Sequence, residues 1–447
     1  MAKQKPLRFR VPVEASAPSL VSNPAGFTRL LARPAQSHRM DVTVLDSHDA
    51  RLLRAGIVVA RRRRNEESGE WYVAAPDWPG LPDEASYAPD GSGELPRELR
   101  RQLSWFLRHE PLTAFATMVC DRSEYVLRGG EDDLVDIRDD TIRITRDNIE
   151  LSTTREITMT PRAKLAGQQR DFIVSALEAI DASPMGAQPT LQQRIGPPAT
   201  GLTSFRPPEG IDPDMNLEEF VSEVLQAHLY ALVIAELQQK PEHERVETDQ
   251  LSRDLRGLAP VLEPAWRDEL ETDLRTLASS DSGSRDDLLL GVIDALVGAV
   301  RAPKLGNLST ENARVALSSR MEQALMILFD RCRALEHDGP DEAWDAALRS
   351  ALQLQATNRL LEPLFGKPVL KLDRELDEVI DLLRSSVSPP DGIEVAGMSP
   401  EEAFQLGRDV EHAQWNVARA RQTLIDTWPE HVAKGRKALK KMRKKLR

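Results

Sequence analysis

At 447 residues, 40% apolar and 29% charged, the chain is too long for one ordinary core and too apolar for a disordered polyelectrolyte. Its net charge of −12 is unevenly placed: residues 433–447 carry nine Lys or Arg and no acid, so the rest is nine charges more acidic than the total. An acidic body excludes a general nucleic-acid binder, whose positive charge spreads over a folded face; nucleic-acid contact is expected only through the basic tail.

The N-terminus, MAKQKPLRFRVPVEAS, is basic without an apolar core of signal-peptide length. No segment approaches the ~20 apolar residues of a membrane span. The expectation is a cytoplasmic protein with no membrane partner. Cys120 and Cys332 are far apart and are expected to be buried thiols, in neither a disulfide nor a zinc site.

From about Leu7 to Thr160 the alternation predicts short strands at 8–13, 41–46, 56–64, 70–75, 115–120, 124–128, 133–138, 141–145 and 155–160. Arg128-Gly129-Gly130 and Pro89-Asp90-Gly91 punctuate them. Helices are predicted at about 96–109 and 163–180. The pattern is that of an antiparallel sheet or barrel with helical insertions. Within it, Gly56 leads through Ile57-Val58-Val59-Ala60 into Arg61–Arg64. In a strand Arg62 and Arg64 share one face and Arg61 and Arg63 the other. Clustered guanidiniums suit phosphate oxyanions; the competing reading is a solvated charged edge. Asp139 and Asp140 read as solvated turn residues, and His48, His109, Trp71 and Tyr72 as ordinary packing or surface residues.

Residues 182–213 hold seven prolines and read as an interdomain linker. Beyond Asp214 the apolar spacing of three and four predicts a helical bundle, with helices at 217–237, 262–277, 288–300, 309–337, 340–364, 368–385, 399–426 and 429–446. The fold class is therefore α+β: residues 1–181 an antiparallel β-barrel or tunnel, 214–432 an all-α bundle, and 433–447 a separate basic tail. In that tail Lys437, Lys440, Lys441 and Lys444 are candidate polyanion contacts, with Leu439, Met442 and Leu446 as a thin apolar stripe.

The segments LDSHDARLLRAGIVVARRRR (45–64), LVDIRDDTI (134–142) and TTREITM (153–159) resemble, in order and spacing, those of a CYTH domain, the triphosphate tunnel family. LRTLASSDSGSRDDLLL (274–290), residues 339–367 and residues 404–437 resemble a CHAD domain, a helical module associated with polyphosphate. The first resemblance implies a barrel whose inward cations hold phosphates while glutamates at one end bind a dication. Arg62 and Arg122 match tunnel arginines, Arg8 replaces a lysine, Arg64 belongs to the same run, and Asp136 matches an acid. Gln4, Pro6, Thr158 and Thr160 stand where metal-binding carboxylates belong, leaving Glu156. Too few oxygens remain to cage a hard dication. In the second region Arg253, Arg256, Arg349 and Arg359 remain of the expected basic faces, while Asp345 stands near an expected histidine. These likenesses imply a non-catalytic binder of inorganic polyphosphate or another phosphate-rich polyanion, associated with polyphosphate granules, with no catalytic residue, metal or cofactor. The alternatives are an inorganic triphosphatase using magnesium or manganese, and a scaffold that meets a protein partner on its acidic helical surface.

Overall fold

The computed structural model describes residues 5–65, 69–89, 94–280, 284–306, 308–387 and 400–446, except the side chains of 400, 402–404 and 407. Gln4, Asp90, Gly91 and Arg447 lie outside the described residues. The chain forms two compact units. Unit 1 runs to Arg206 and takes in Glu236–Gln239; unit 2 comprises Pro207–Ala235 and Lys240–Arg447.

Unit 1 consists of β1 (Leu7–Val11), β2 (Arg29–Ala32), β3 (His38–Asp46), α1 (Arg51–Arg54), β4 (Val58–Arg64), β5 (Glu70–Ala74), β6 (Ala85–Tyr87), α2 (Arg97–Leu107), β7 (Thr113–Gly129), β8 (Asp132–Arg146), β9 (Ile149–Pro161), α3 (Gly167–Glu178), β10 (Ser183–Pro184) and α4 (Leu191–Ile195). The strands form one antiparallel sheet in the order β10-β1-β9-β8-β7-β3-β4-β5-β6, with β2 also on β7. Among the described residues no pairing joins β10 to β6, so the sheet follows an open path rather than a hydrogen-bonded closed barrel.

Four predicted strands merge into the hairpin of β7 and β8. Residues 121–123 and 139–140 are polar and fall between the predicted strands. In the structure they pair across the hairpin, Arg122 opposite Asp140 and Ser123 opposite Asp139. A cross-strand ion pair keeps a polar residue inside a strand. The turn into the arginine strand is built by Asp46: its buried carboxylate accepts the backbone N–H groups of Ser47 (2.7 Å), Leu52 (2.9 Å) and Leu53 (2.8 Å). These bonds hold the single turn α1, and Gly56, at φ +78°, turns the chain into β4. Phe9, Val11, Leu127, Ile137, Ile157 and Met159 pack with Ile173 and Leu177 of α3 in one core. Val42, Val44, Ala60, Ala116 and Ile144 pack with Leu53 and Ile195 in a second.

The proline-rich stretch is not a free linker as far as Arg206. It holds β10, which pairs with β1, and α4, which packs on β9. Phe205 packs edge-on against Phe106, with ring centroids 5.1 Å apart.

Unit 2 is helical: α5 (Leu217–Leu237), α6 (Pro241–Leu258), α7 (Pro264–Ser279), α8 (Arg285–Arg301), α9 (Ala313–Arg333), α10 (Asp341–Leu360), the single turn α11 (Glu362–Phe365), α12 (Lys367–Ser385) and α13 (Pro400–Lys445). Gly257 lets α6 approach α10; a Cβ there would lie 2.7 Å from the Ala356 carbonyl oxygen. Helix α5 comes nearer to spanning length than the sequence expectation allowed, with a mean hydropathy of 1.4 over its best window, yet 67% of that window is buried, as in a core helix. The two helices expected at 399–426 and 429–446 are one, α13, with Pro429 inside it. Its end is no separate tail: Ala438, Leu439 and Met442 are buried.

Candidate anion-binding site

Strand alternation carries the even-numbered residues of β3, β4, β5, β7 and β8 to one face of the sheet. There Met40, Val42, Ala60, Arg62, Tyr72, Met118, Cys120, Arg122, Arg138, Asp140 and Ile142 line a cavity of about 680 Å3. Residues 188–192 and Arg194, around α4, complete the lining.

Two carboxylates are buried on this face, and both are held by arginines. Asp140 is 3% exposed; Arg122 Nε donates to its Oδ1 at 2.7 Å and Arg122 Nη2 to its Oδ2 at 3.2 Å. Arg138 Nε lies 2.9 Å from Oδ2, close enough for an ion pair but too poorly aligned for a hydrogen bond. Glu156 is 2% exposed and takes a bidentate pair from Arg194, at 2.6 and 2.8 Å. Asp140 is therefore no solvated turn residue. Asp139 pairs instead with Arg155, at 3.0 and 2.7 Å.

Arg62 differs from its neighbours. Its guanidinium carbon sits 3.0 Å from the centroid of the Tyr72 ring, and no carboxylate pairs with it among the described residues. Tyr72 is thus a platform for a cation rather than packing alone; its hydroxyl donates to Glu84 at 2.9 Å. Arg64 is exposed and shares a 3.2 Å contact with His38 Nδ1. Arg63 pairs with Asp41 at 3.3 Å, and Arg61 lies over Trp71. Arg8, on β1, lies opposite Thr158, which in turn lies opposite Arg138. The Nε atoms of Arg8 and Arg138 are both buried without a hydrogen-bond partner. Cys120 contributes no nucleophile: burial, and then the charge of Asp140, push its thiol up to about 11.

A divalent cation needs several oxygens presented together. Asp140 and Glu156 are committed to arginines, Thr158 and Thr160 are not carboxylates, and Asp136 is held by Arg33 at 3.1 Å and Arg162 at 2.9 Å. These residues do not fit a catalytic magnesium or manganese. The sequence matches no known family model, and no curated protein matches it. An antiparallel sheet unit followed by helices is compatible with a tunnel-like domain and a helical domain in tandem.

In unit 2 the candidate cations do not form one basic face. Arg349 is paired with Asp345 one turn away, Arg253 is bonded to Gln250 at 2.7 Å, and Arg256 is exposed at the end of α6. Arg359 pairs with Asp373 at 3.1 Å. Arg285 holds the buried Glu244 at 2.6 Å. Lys437, Lys440, Lys441 and Lys444 are exposed, and none has an ion-pair partner among the described residues. Arg443 and Lys445 are used differently: Arg443 pairs with Glu322, and Lys445 donates to the Phe365 carbonyl at 2.6 Å. Glu375, Glu378 and His431 bring donor atoms within 4.8 Å of one another, but Lys434 lies 3.0 Å from Glu375.

A second cavity, of about 690 Å3, is lined by α5, α6 and α10 residues including Glu247, His228 and Asp254. His228, 5% exposed, lies 2.5 Å from Glu247 through Nδ1 and 2.9 Å from Asp254 through Nε2. Burial alone would lower its pKa; the bonds to Asp254 and Glu247 outweigh that and raise it to about 9.

Sequence reasoning missed Arg138, Arg194 and His228. Arg138 stands two residues before Asp140 in a strand, so they share a face. Arg194 follows Thr190-x-x-Gln193, a capping-box signature that marks α4 inside the supposed linker. Glu247 and Asp254 are seven residues apart on α6, two turns along one face.

Proposed function

We propose that this protein binds phosphate-bearing anions, inorganic polyphosphate among them, without hydrolysing them. The observation that carries this reading is the arginine capping of Asp140 and Glu156: the cavity keeps guanidiniums, its two buried carboxylates are taken, and Asp77 at its edge is a single exposed carboxylate, too few oxygens for a metal. Phosphoryl transfer of the triphosphatase kind relies on such a metal to neutralise developing charge. An arginine-lined cavity lacking it can hold an oxyanion through charge-assisted hydrogen bonds without activating it.

Long polyanions have a second surface available. Lys437, Lys440, Lys441 and Lys444 recur at helical spacings of three, one and three, so they form one exposed stripe along α13. A polymer laid on that stripe releases counterions, so its binding weakens steeply with salt. The test is titration of the intact protein with polyphosphate of several chain lengths at two salt concentrations. Salt-sensitive binding that strengthens with chain length supports the proposal; absence of binding at low salt overturns it.

A further inference from the structure

The register around Arg62 sets an uncommitted cation beside an apolar floor. Arg62 lies opposite Val42 on β3, and Val42 lies opposite Met118 on β7. In the next row Met40 lies opposite Cys120, and Cys120 opposite Ile142. With the neutral thiol of Cys120 at its centre, that row is apolar from Met40 to Ile142, between Arg64 on β4 and Thr154 on β9. All of these residues line the same cavity, whose volume suits a small organic ligand. The remaining cavity arginines are answered by Asp140 and Glu156. A naked phosphate chain would gain nothing from this floor, because burying apolar walls against a hydrated polyanion desolvates charge without compensation.

Building on the phosphate-binding reading above, we propose that the unit 1 cavity takes a small amphiphilic organic phosphate, its head against Arg62 and its apolar body along Val42, Met118 and Ile142. Tyr72 holds the Arg62 guanidinium in place, so little side-chain freedom is lost when the head docks. Arg8, opposite Thr158 on the same sheet face, has a buried Nε without a hydrogen-bond partner, so this face retains donor capacity beyond its internal ion pairs.

The experiment is calorimetric titration of the intact protein with octyl phosphate, inorganic phosphate, 1-octanol and tripolyphosphate. The proteins are wild type, Arg62→Gln and Met118→Ser, each checked for an unchanged thermal melt. Octyl phosphate is expected to bind at least about tenfold more tightly than inorganic phosphate, since each buried methylene adds to the affinity. Arg62→Gln should weaken octyl phosphate about tenfold or more, as loss of a charge-assisted bond does. Met118→Ser should weaken octyl phosphate by about threefold to tenfold while leaving inorganic phosphate unchanged. Tripolyphosphate binding more tightly than octyl phosphate, and sensitive to Arg62→Gln but not Met118→Ser, would overturn this inference and leave the phosphate-binding proposal standing. No Arg62-sensitive binding of any phosphate would overturn both for this cavity. Should Arg62→Gln fail to fold, the Met118→Ser comparison decides alone.

Discussion

Arg194 and Glu156 form the most enclosed charge pair on the cavity face, with both carboxylate oxygens engaged. Removing one partner of a buried pair strands the other, and that costs about 3–5 kcal/mol. Arg194→Gln is therefore expected to lower the denaturant stability of unit 1 by that order, and Arg194→Met combined with Glu156→Leu should recover most of the loss. A single variant as stable as wild type would contradict the pairing. His228 makes a prediction about pH. Its folded-state pKa of about 9 lies above the ordinary 6.5, so the bonds to Glu247 and Asp254 contribute fully below pH 6.5. Their contribution, roughly 3 kcal/mol for a shift of that size, is lost as pH rises through about 9. Urea unfolding of wild type and His228→Gln between pH 6 and 10 should show the wild-type advantage shrinking across pH 7 to 9. A constant advantage would contradict a folded-state titration near pH 9.

At the scale of elements, α13 joins packing to charge. Its buried Ala438, Leu439 and Met442 seat the helix end, while the lysine stripe remains outside. Replacing Lys437, Lys440, Lys441 and Lys444 with alanine should leave the melting temperature nearly unchanged. It should also flatten the dependence of log affinity on log salt for polyphosphate by roughly two to three, as four lost contacts would. An unchanged slope would exclude the stripe. Gly257→Ala, by contrast, should destabilise unit 2, since the added methyl meets backbone of α10; equilibrium unfolding would reveal it. The same elements show what was legible in the sequence. Alternation and helical spacing revealed both classes of structure and placed Arg62 on its strand; Arg122, singled out only by the resemblance to a tunnel domain, lines the same cavity. Spacing could not reveal that Asp140 continues a strand, because its partner Arg122 is distant in sequence. Nor could it show that a proline-rich stretch would fold back and supply Arg194. Periodicity reports local geometry, whereas ion pairing across a sheet is settled by register.

For the whole molecule, the sheet unit and the helical unit each carry cations on an acidic chain, but they deploy them differently. Unit 1 encloses arginines with two buried carboxylates, and unit 2 holds Arg349 and Arg359 in surface pairs while leaving four lysines in one exposed stripe. On the proposed reading both arrangements hold an anion, and the carboxylates buried on the cavity face, Asp140 and Glu156, are taken by arginines rather than presented to a metal. The most direct measurement is phosphate release from tripolyphosphate by the intact protein, with magnesium, with manganese and with chelator, run beside a binding titration of the same samples. The account predicts saturable binding that chelator leaves intact and no orthophosphate above the protein-free rate under any condition. Metal-dependent orthophosphate release that disappears in Arg62→Ala would contradict it.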